Sequence, residues 1–152
     1  MSHIFQINAS GGGVPKLPLR NADIDDNGIT VDDQNHKEIH GGPRQKLCLL
    51  RLETILALQG EGHPIYPGST GENITTFGLT DEQMQPGQQL KLGNSAIIEL
   101  TDYTSPCTHI GDSFSERNFN RINAKKHPGW SRIYARIVQG GQISTGDPIT
   151  VL

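Results

Sequence analysis

The chain has 152 residues, the length of one domain with a sizeable core. Its 13 basic and 16 acidic residues nearly balance, so it lacks the basic excess that is typical of nucleic-acid-binding proteins. Eighteen glycines and nine prolines predict many turns and short elements, and favour a mainly β fold over a helical bundle.

The two cysteines stand in different settings, and neither composition nor spacing indicates a disulfide framework. A reducing compartment is the simpler interpretation. The start of the chain has no basic leader, and no stretch approaches the roughly 18 apolar residues of a membrane span. We therefore expect a soluble, cytoplasmic protein with no membrane partner.

The first third of the chain reads as a β meander. Strands are predicted at 3–7 and 14–19, the second being irregular because Pro15 and Pro18 lie in it. Asn27-Gly28 is a strong hairpin signal and predicts pairing of 21–24 with 29–31.

The middle of the chain predicts helices. Leu49, Leu52, Ile55 and Leu56 recur at helical spacing, which predicts a helix over 49–59 that ends at Gly60. A capping-box pattern at 80–83 predicts a single helical turn. A second capping box at 113–116 predicts a helix that runs to about residue 126, before Pro128.

Two later segments alternate as half-buried strands do. In 95–101 alternate apolar residues share one face, and in 132–138 the same pattern places Arg132, Tyr134 and Arg136 on the opposite face. Two arginines beside a tyrosine suit an anion or a flat ring. A solvated strand face covered by the tyrosine explains the same pattern.

Cys107 is the strongest candidate for a functional residue. It follows Pro106 at the end of the predicted strand and lies among small polar residues, where a thiol can act as a nucleophile, a sulfur carrier or a metal ligand. His109 lies two residues further on and could activate it, because such residues share a face in an extended chain. Cys48 has apolar neighbours and is interpreted as a core residue.

Two polar loops are candidate ligand-binding segments. In 39–44, His40 and Arg44 supply donors around Gly41 and Gly42, although a tight turn would explain the same pattern. The spacing of His36 and His40 does not favour zinc, because the glycines and Pro43 oppose a helix. In 68–74, Gly71, Glu72 and Asn73 could orient a ligand or simply satisfy turn backbone groups; the segment is not a P-loop.

Five segments, taken together, resemble the MOSC domain, which is the C-terminal domain of molybdenum cofactor sulfurases and also occurs as a free-standing bacterial protein. The segments are 39–44, 62–74, 86–87, 105–107 and 127–136. The resemblance runs in order from about 29 to 151. The usual Gly-Asp of the family stands here as Asp32-Asp33.

The resemblance implies a single domain over 1–152, built as a closed β-barrel with a few peripheral α-helices. It implies that Cys107 ligates molybdenum or carries sulfur. It also implies that the 39–44 and 68–74 loops line a site for the molybdenum cofactor, molybdopterin. The two arginines would bind the anionic phosphate of its pterin. The predicted cofactor-binding residues are His40, Gly41, Gly42, Arg44, Gly71, Glu72, Asn73, Arg132 and Arg136.

Three functional classes follow. The first is a small molybdenum enzyme that reduces N-hydroxylated bases or related compounds and is supplied by an electron-donor protein. The second is a sulfur carrier or cofactor-handling protein that bears a persulfide on Cys107, receives sulfur from a pyridoxal-dependent cysteine desulfurase and has no turnover of its own. The third is a metal-free thiol enzyme in which His109 activates Cys107.

Overall fold

The computed structural model describes residues 1–32 and 42–152, and most of the elements in them are strands. An eight-stranded sheet has the order β11-β7-β8-β9-β5-β6-β1-β2, and a three-stranded sheet has the order β10-β3-β4. The strands are β1 His3–Ala9, β2 Leu17–Leu19, β3 Asn21–Asp25, β4 Gly28–Ile29, β5 Leu47–Arg51, β6 Ile74–Phe77, β7 Gln89–Leu92, β8 Ala96–Tyr103, β9 Ile133–Gln139, β10 Gly141–Ser144 and β11 Ile149–Val151.

The expected mainly β fold is confirmed, but the prediction of a closed barrel is wrong. Strand β1 already pairs with β6 on one side and β2 on the other, so β2 and β11 remain as the two ends of the sheet. An isolated bridge between His3 and Pro148 brings the start of β1 beside β11. The Ile4 amide donates to the Asp147 carbonyl at 2.9 Å and the Ile149 amide donates to the Ser2 carbonyl at 3.0 Å, but the contact is an isolated bridge and not a strand pairing.

The segment that was predicted as one helix over 49–59 is a strand followed by a helix. Leu49 lies in β5, and the helix α1 spans Leu52–Gly60. Strand β5 is apolar on both faces, since Leu49 packs in the main core while Leu50 packs in a second cluster. An apolar run of this kind does not show a period of two, so its spacing was compatible with a helix. The helix then connects β5 to the adjacent parallel strand β6.

The second predicted helix, over 113–126, is also wrong. This region consists of short 3₁₀ turns at Thr108–Ser113, Ser115–Arg117 and Phe119–Ile122. The capping box at 80–83 is confirmed, because a single 3₁₀ turn at Asp81–Gln83 follows Thr80. In the described ranges no helix is long and apolar enough to cross a membrane.

Two apolar clusters position the site. The main core lies against the large sheet and includes Ile4, Ile7, Leu49, Ile98 and Ala135. The second cluster joins α1 to the 3₁₀ turns that follow β8. Its members are Leu50, Ile55, Leu58, Ile65, Ile110, Phe114 and Ile122. Because Ile110 and Phe114 belong to it, the chain just after Cys107 is anchored on the helix.

Candidate functional site

Cys107 is partly exposed and directly precedes the 3₁₀ turn Thr108–Ser113. Its backbone is extended, with φ −144° and ψ 177°, and its carbonyl accepts a hydrogen bond from the Ile110 amide at 3.2 Å. Its Sγ lies 3.3 Å from Nδ1 of His109. A thiol that solvent can reach and that contacts an imidazole nitrogen can serve as a nucleophile or a soft metal ligand.

The 68–73 loop is tied to both sides of Cys107. Upstream, the Arg132 guanidinium donates to the carbonyls of Thr70 at 2.7 Å and Ser105 at 3.4 Å. Downstream, the Ser113 hydroxyl donates to the hydroxyl of Ser69 at 2.9 Å. The resemblance implied that this loop and Cys107 line one cofactor site. These hydrogen bonds bring the two segments together, and the shared cofactor site stays a prediction.

Glu72 uses its carboxylate within its own loop. Oε2 accepts from the Gly68 amide at 3.0 Å and from the Thr75 hydroxyl at 3.1 Å, while Oε1 accepts from the Thr70 hydroxyl at 2.9 Å. The side chain is fully buried. Burial raises the pKa of the Glu72 carboxyl, although these hydrogen bonds oppose the rise. Glu72 therefore shapes the loop, as the alternative interpretation of this segment predicted.

Asn73 connects three parts of the chain. Its side-chain oxygen accepts from the Cys48 amide at 3.0 Å, and its nitrogen donates to the Asn8 carbonyl at 3.3 Å and to the Asp32 carboxylate at 2.9 Å. The residue is 1% exposed. Every hydrogen-bonding group of this amide is engaged except one lone pair of the oxygen.

A buried ion pair that the sequence analysis missed lies beside this loop. Lys16 Nζ contacts both carboxylate oxygens of Asp32, at 2.6 and 2.7 Å, and both side chains are almost fully buried. The Ser10 amide also donates to Asp32, at 2.9 Å. The departure noted in the sequence, Asp32 in place of glycine, is thus the acceptor for a buried lysine.

Cys48 is buried, as predicted, but it lies next to the site. Its Sγ is 3.6 Å from the Thr104 hydroxyl, and Thr104 also hydrogen-bonds to Tyr134. Burial raises the pKa of the Cys48 thiol, although the positive charge of Arg132 opposes the rise. Burial also raises the pKa of the Tyr134 hydroxyl. Cys48 therefore stays a neutral thiol at ordinary pH.

The two arginines of β9 and its flank have different environments. Arg132 is 6% exposed, and its Nε has no hydrogen-bond partner in the described part of the chain. Arg136 forms a bidentate ion pair with Glu99 of β8, at 3.1 and 3.2 Å. Tyr134 is 6% exposed, so the idea of a solvated strand face is wrong for this end of the strand.

Of the 39–44 loop, His40 and Gly41 lie outside the described residues. Gly42 is described, and apart from its chain neighbours no heavy atom of the described residues lies within 4 Å of the place where a Cβ would stand. The Arg44 side chain contacts Asp102 of β8 at 3.2 Å, and both side chains are more than half exposed. The roles of these residues in cofactor binding stay predictions.

The sequence analysis assigned no role in the site to Lys16, Asp32, Thr104 or Ser105, and it did not place Cys48 beside the site. One signal could have found two of them, because Thr104 and Ser105 immediately precede the Pro106-Cys107 pair. No local pattern distinguishes Lys16, and the Asp32-Asp33 departure does not reveal its partner. Lys16 and Asp32 meet only when the start of β2 and the segment after β4 are assembled beside the 68–73 loop.

A family model for the MOSC domain matches residues 36–150. The chain is 28% identical to Protein YiiM of Escherichia coli over 82% of its own length and 56% of that protein. It is 30% identical to a protein of Gibberella moniliformis named Reductase, over 80% of the chain and 22% of that protein. The chain thus spans little more than half of the one relative and less than a quarter of the other.

The fold is similar to the crystal structure of YiiM from Geobacillus stearothermophilus, with a TM-score of 0.78. The two sequences are 20% identical, and the match covers 100% of this chain and 75% of the other. The family match spans most of the chain and includes Cys107, Arg132, Arg136 and the 68–73 loop. This protein belongs to the MOSC domain family.

Proposed function

We propose that this protein holds the molybdenum of a pterin cofactor through the Cys107 thiolate and reduces N-hydroxylated bases or related compounds. The observation that carries the proposal is the part-exposed Cys107 thiol, 3.3 Å from Nδ1 of His109. Hydrogen bonds before and after Cys107 connect this segment of the chain to the 68–73 loop. A soft thiolate is a suitable ligand for molybdenum. The Gibberella relative, named Reductase, agrees with this class of reaction.

Within this proposal each described residue has a limited task. Cys107 would supply one protein ligand, and the cofactor when bound would supply two-electron redox chemistry. Arg132 is the better of the two arginines for an anionic group of cofactor or substrate, because its buried Nε lacks a partner among the described residues. Arg136 is already neutralised by Glu99. An electron-donor protein completes the reaction.

The test is molybdenum content, measured by elemental mass spectrometry on protein purified anaerobically from a host that makes the cofactor. We expect near-stoichiometric metal in the wild type and almost none in Cys107→Ala. Cys48→Ala is the matched control, because it removes the buried thiol and leaves Cys107 in place. A folded wild-type protein without molybdenum would overturn the proposal.

A sulfur carrier is the second candidate, and the partial exposure of Cys107 favours it as well. In that reaction the Cys107 thiolate attacks the outer sulfur of a persulfide on a cysteine desulfurase, and the desulfurase cysteine leaves as a thiolate. The protein would then carry one extra sulfur on Cys107. Mass spectrometry of the intact protein would show this sulfur, and reduction with a thiol would remove it.

A further inference from the structure

The segment 107–113, which consists of Cys107 and the 3₁₀ turn after it, forms the Cys107 turn. The backbone after this turn is strained at two successive residues. Glu116 has φ 54° and ψ 24°, and Arg117 has φ 55°. A side chain in this left-handed region brings Cβ too close to the backbone, so residues other than glycine, asparagine and aspartate seldom occupy it. Strain of this kind persists only where surrounding contacts hold it, and it is concentrated at functional sites.

The strained backbone turns the Arg117 side chain back over the 3₁₀ turn Thr108–Ser113. Its Nη2 donates to the Thr108 carbonyl at 2.8 Å, and its Nη1 contacts the Asp112 carboxylate. The guanidinium lies against Gly111, where a Cβ would be 2.5 Å from Cζ of Arg117. Glycine at position 111 thus leaves the space that the guanidinium occupies.

The ion pair with Asp112 does not explain this arrangement. The two side chains are 58% and 97% exposed, and ion pairs in such positions contribute little to stability. The contact that reaches the site is the one to Thr108. Its carbonyl belongs to the residue between Cys107 and His109, whose Sγ and Nδ1 are 3.3 Å apart.

We propose that Arg117 is a positioning residue for Cys107. Its guanidinium lies against Gly111 and donates to the Thr108 carbonyl, and this hydrogen bond fixes the backbone between Cys107 and His109 and so the distance between the thiol and the imidazole. This inference rests on the proposed function only in taking Cys107 as the working residue. It requires neither molybdenum nor sulfur transfer, so it can fail or succeed independently of them.

The test follows alkylation of Cys107 by iodoacetamide in metal-free protein at one fixed pH, with the Cys107 peptide quantified by mass spectrometry. Two variants remove the contact in opposite ways. Arg117→Gly deletes the guanidinium and relieves the strain, because glycine tolerates φ 55°. Gly111→Ala keeps the guanidinium but places a methyl group where it lies.

We expect both variants to alkylate roughly three- to tenfold more slowly, which is less than the hundredfold or more that loss of a general base costs. Arg117→Gly should at the same time melt no lower than the wild type, since it loses strain. The matched controls are Arg20→Ala, which removes another exposed arginine, and Gly60→Ala, at a glycine with nothing within 4 Å of an added Cβ. Both controls should react as the wild type does.

Guanidinium ion at millimolar concentration should restore part of the lost rate to Arg117→Gly, since the ion can occupy the vacated place. Wild-type reactivity in Arg117→Gly would overturn the proposal. So would a slower rate that appears only in variants with a lowered melting temperature, because a purely structural contact has that effect. Neither outcome would bear on molybdenum content, which tests the proposed function separately.

Discussion

The 68–73 loop and the Cys107 turn lie side by side, yet their polar groups are used differently. In the loop, Glu72 and Asn73 are buried and direct their side chains to neighbouring backbone and hydroxyl groups. In the turn, Cys107 is partly exposed, and its thiol contacts the His109 imidazole. A polar residue near a site can thus either build the site or act in it, and burial separates the two cases.

The largest effect that this comparison predicts is a difference between the two thiols. Cys48 is 6% exposed and its raised pKa disfavours the reactive thiolate, so it should react only when the structure opens. We expect Cys107 to be alkylated at least about a thousandfold faster than Cys48. This factor corresponds to the lower end of the usual free energies of global unfolding, which Cys48 needs in order to become exposed. Peptide mass spectrometry of an iodoacetamide time course measures both rates. In denaturant the two thiols should react alike, and rapid labelling of Cys48 in the native protein would refute the comparison.

Next in size is the loss of stability in Asn73→Ala. This change leaves the Cys48 amide without its acceptor, and the Asn8 carbonyl and Asp32 carboxylate each lose a donor. We expect the free energy of unfolding to fall by about 3 kcal/mol, because buried polar groups that lose a partner are costly. Urea denaturation measures it. The matched variant Asn94→Ala, at an exposed turn position, should change stability little, and an equally small effect at Asn73 would contradict a structural role.

Glu72 should make the stability depend on pH. Burial raises the pKa of the Glu72 carboxyl in the folded state above its ordinary value of 4.5. As pH rises, the carboxyl therefore loses its proton in the unfolded chain before it does so in the folded protein. The stability that Glu72 contributes is therefore full below its ordinary pKa and falls with rising pH until the folded pKa is passed, by at most about 1.4 kcal/mol per pH unit. Glu72→Gln removes this titration, so the stability difference between wild type and variant should fall with pH.

Urea denaturation at a series of pH values measures this difference, with the exposed Glu82→Gln as control. A wild type that gains stability relative to Glu72→Gln over the same range would mean that the hydrogen bonds outweigh burial.

The smallest effect should be that of Cys107→Ala on stability. The side chain is part-exposed, and in the part of the chain that the structure describes its hydrogen-bond contact is with His109. The free energy of unfolding should therefore change by less than about 0.5 kcal/mol. The same urea experiment measures it. A loss as large as that expected for Asn73→Ala would place Cys107 among the residues that build the site.

Local sequence patterns predicted the structure correctly where one face of a strand is buried and the other is not. The alternation in 95–101 correctly predicted β8, and the contrast between the surroundings of Cys48 and Cys107 correctly predicted which thiol is buried. The same reasoning failed for Leu49 and for 113–126. In the first case both faces of β5 are buried, and in the second the left-handed backbone at Glu116 and Arg117 interrupts any continuous helix.

The sequence by itself determined the mainly β class, the family and the cysteine to test, because composition, strand alternation and ordered motifs are properties of local segments. Only the tertiary structure decided that the sheet stays open, that Glu72 and Asn73 hold the loop, and that Arg132 and Arg117 hold the chain on either side of Cys107. These outcomes depend on contacts between residues far apart in the chain or on backbone strain. The free energy of such a contact depends on how deeply each group is buried and on which partner it has, and both are set by the tertiary structure.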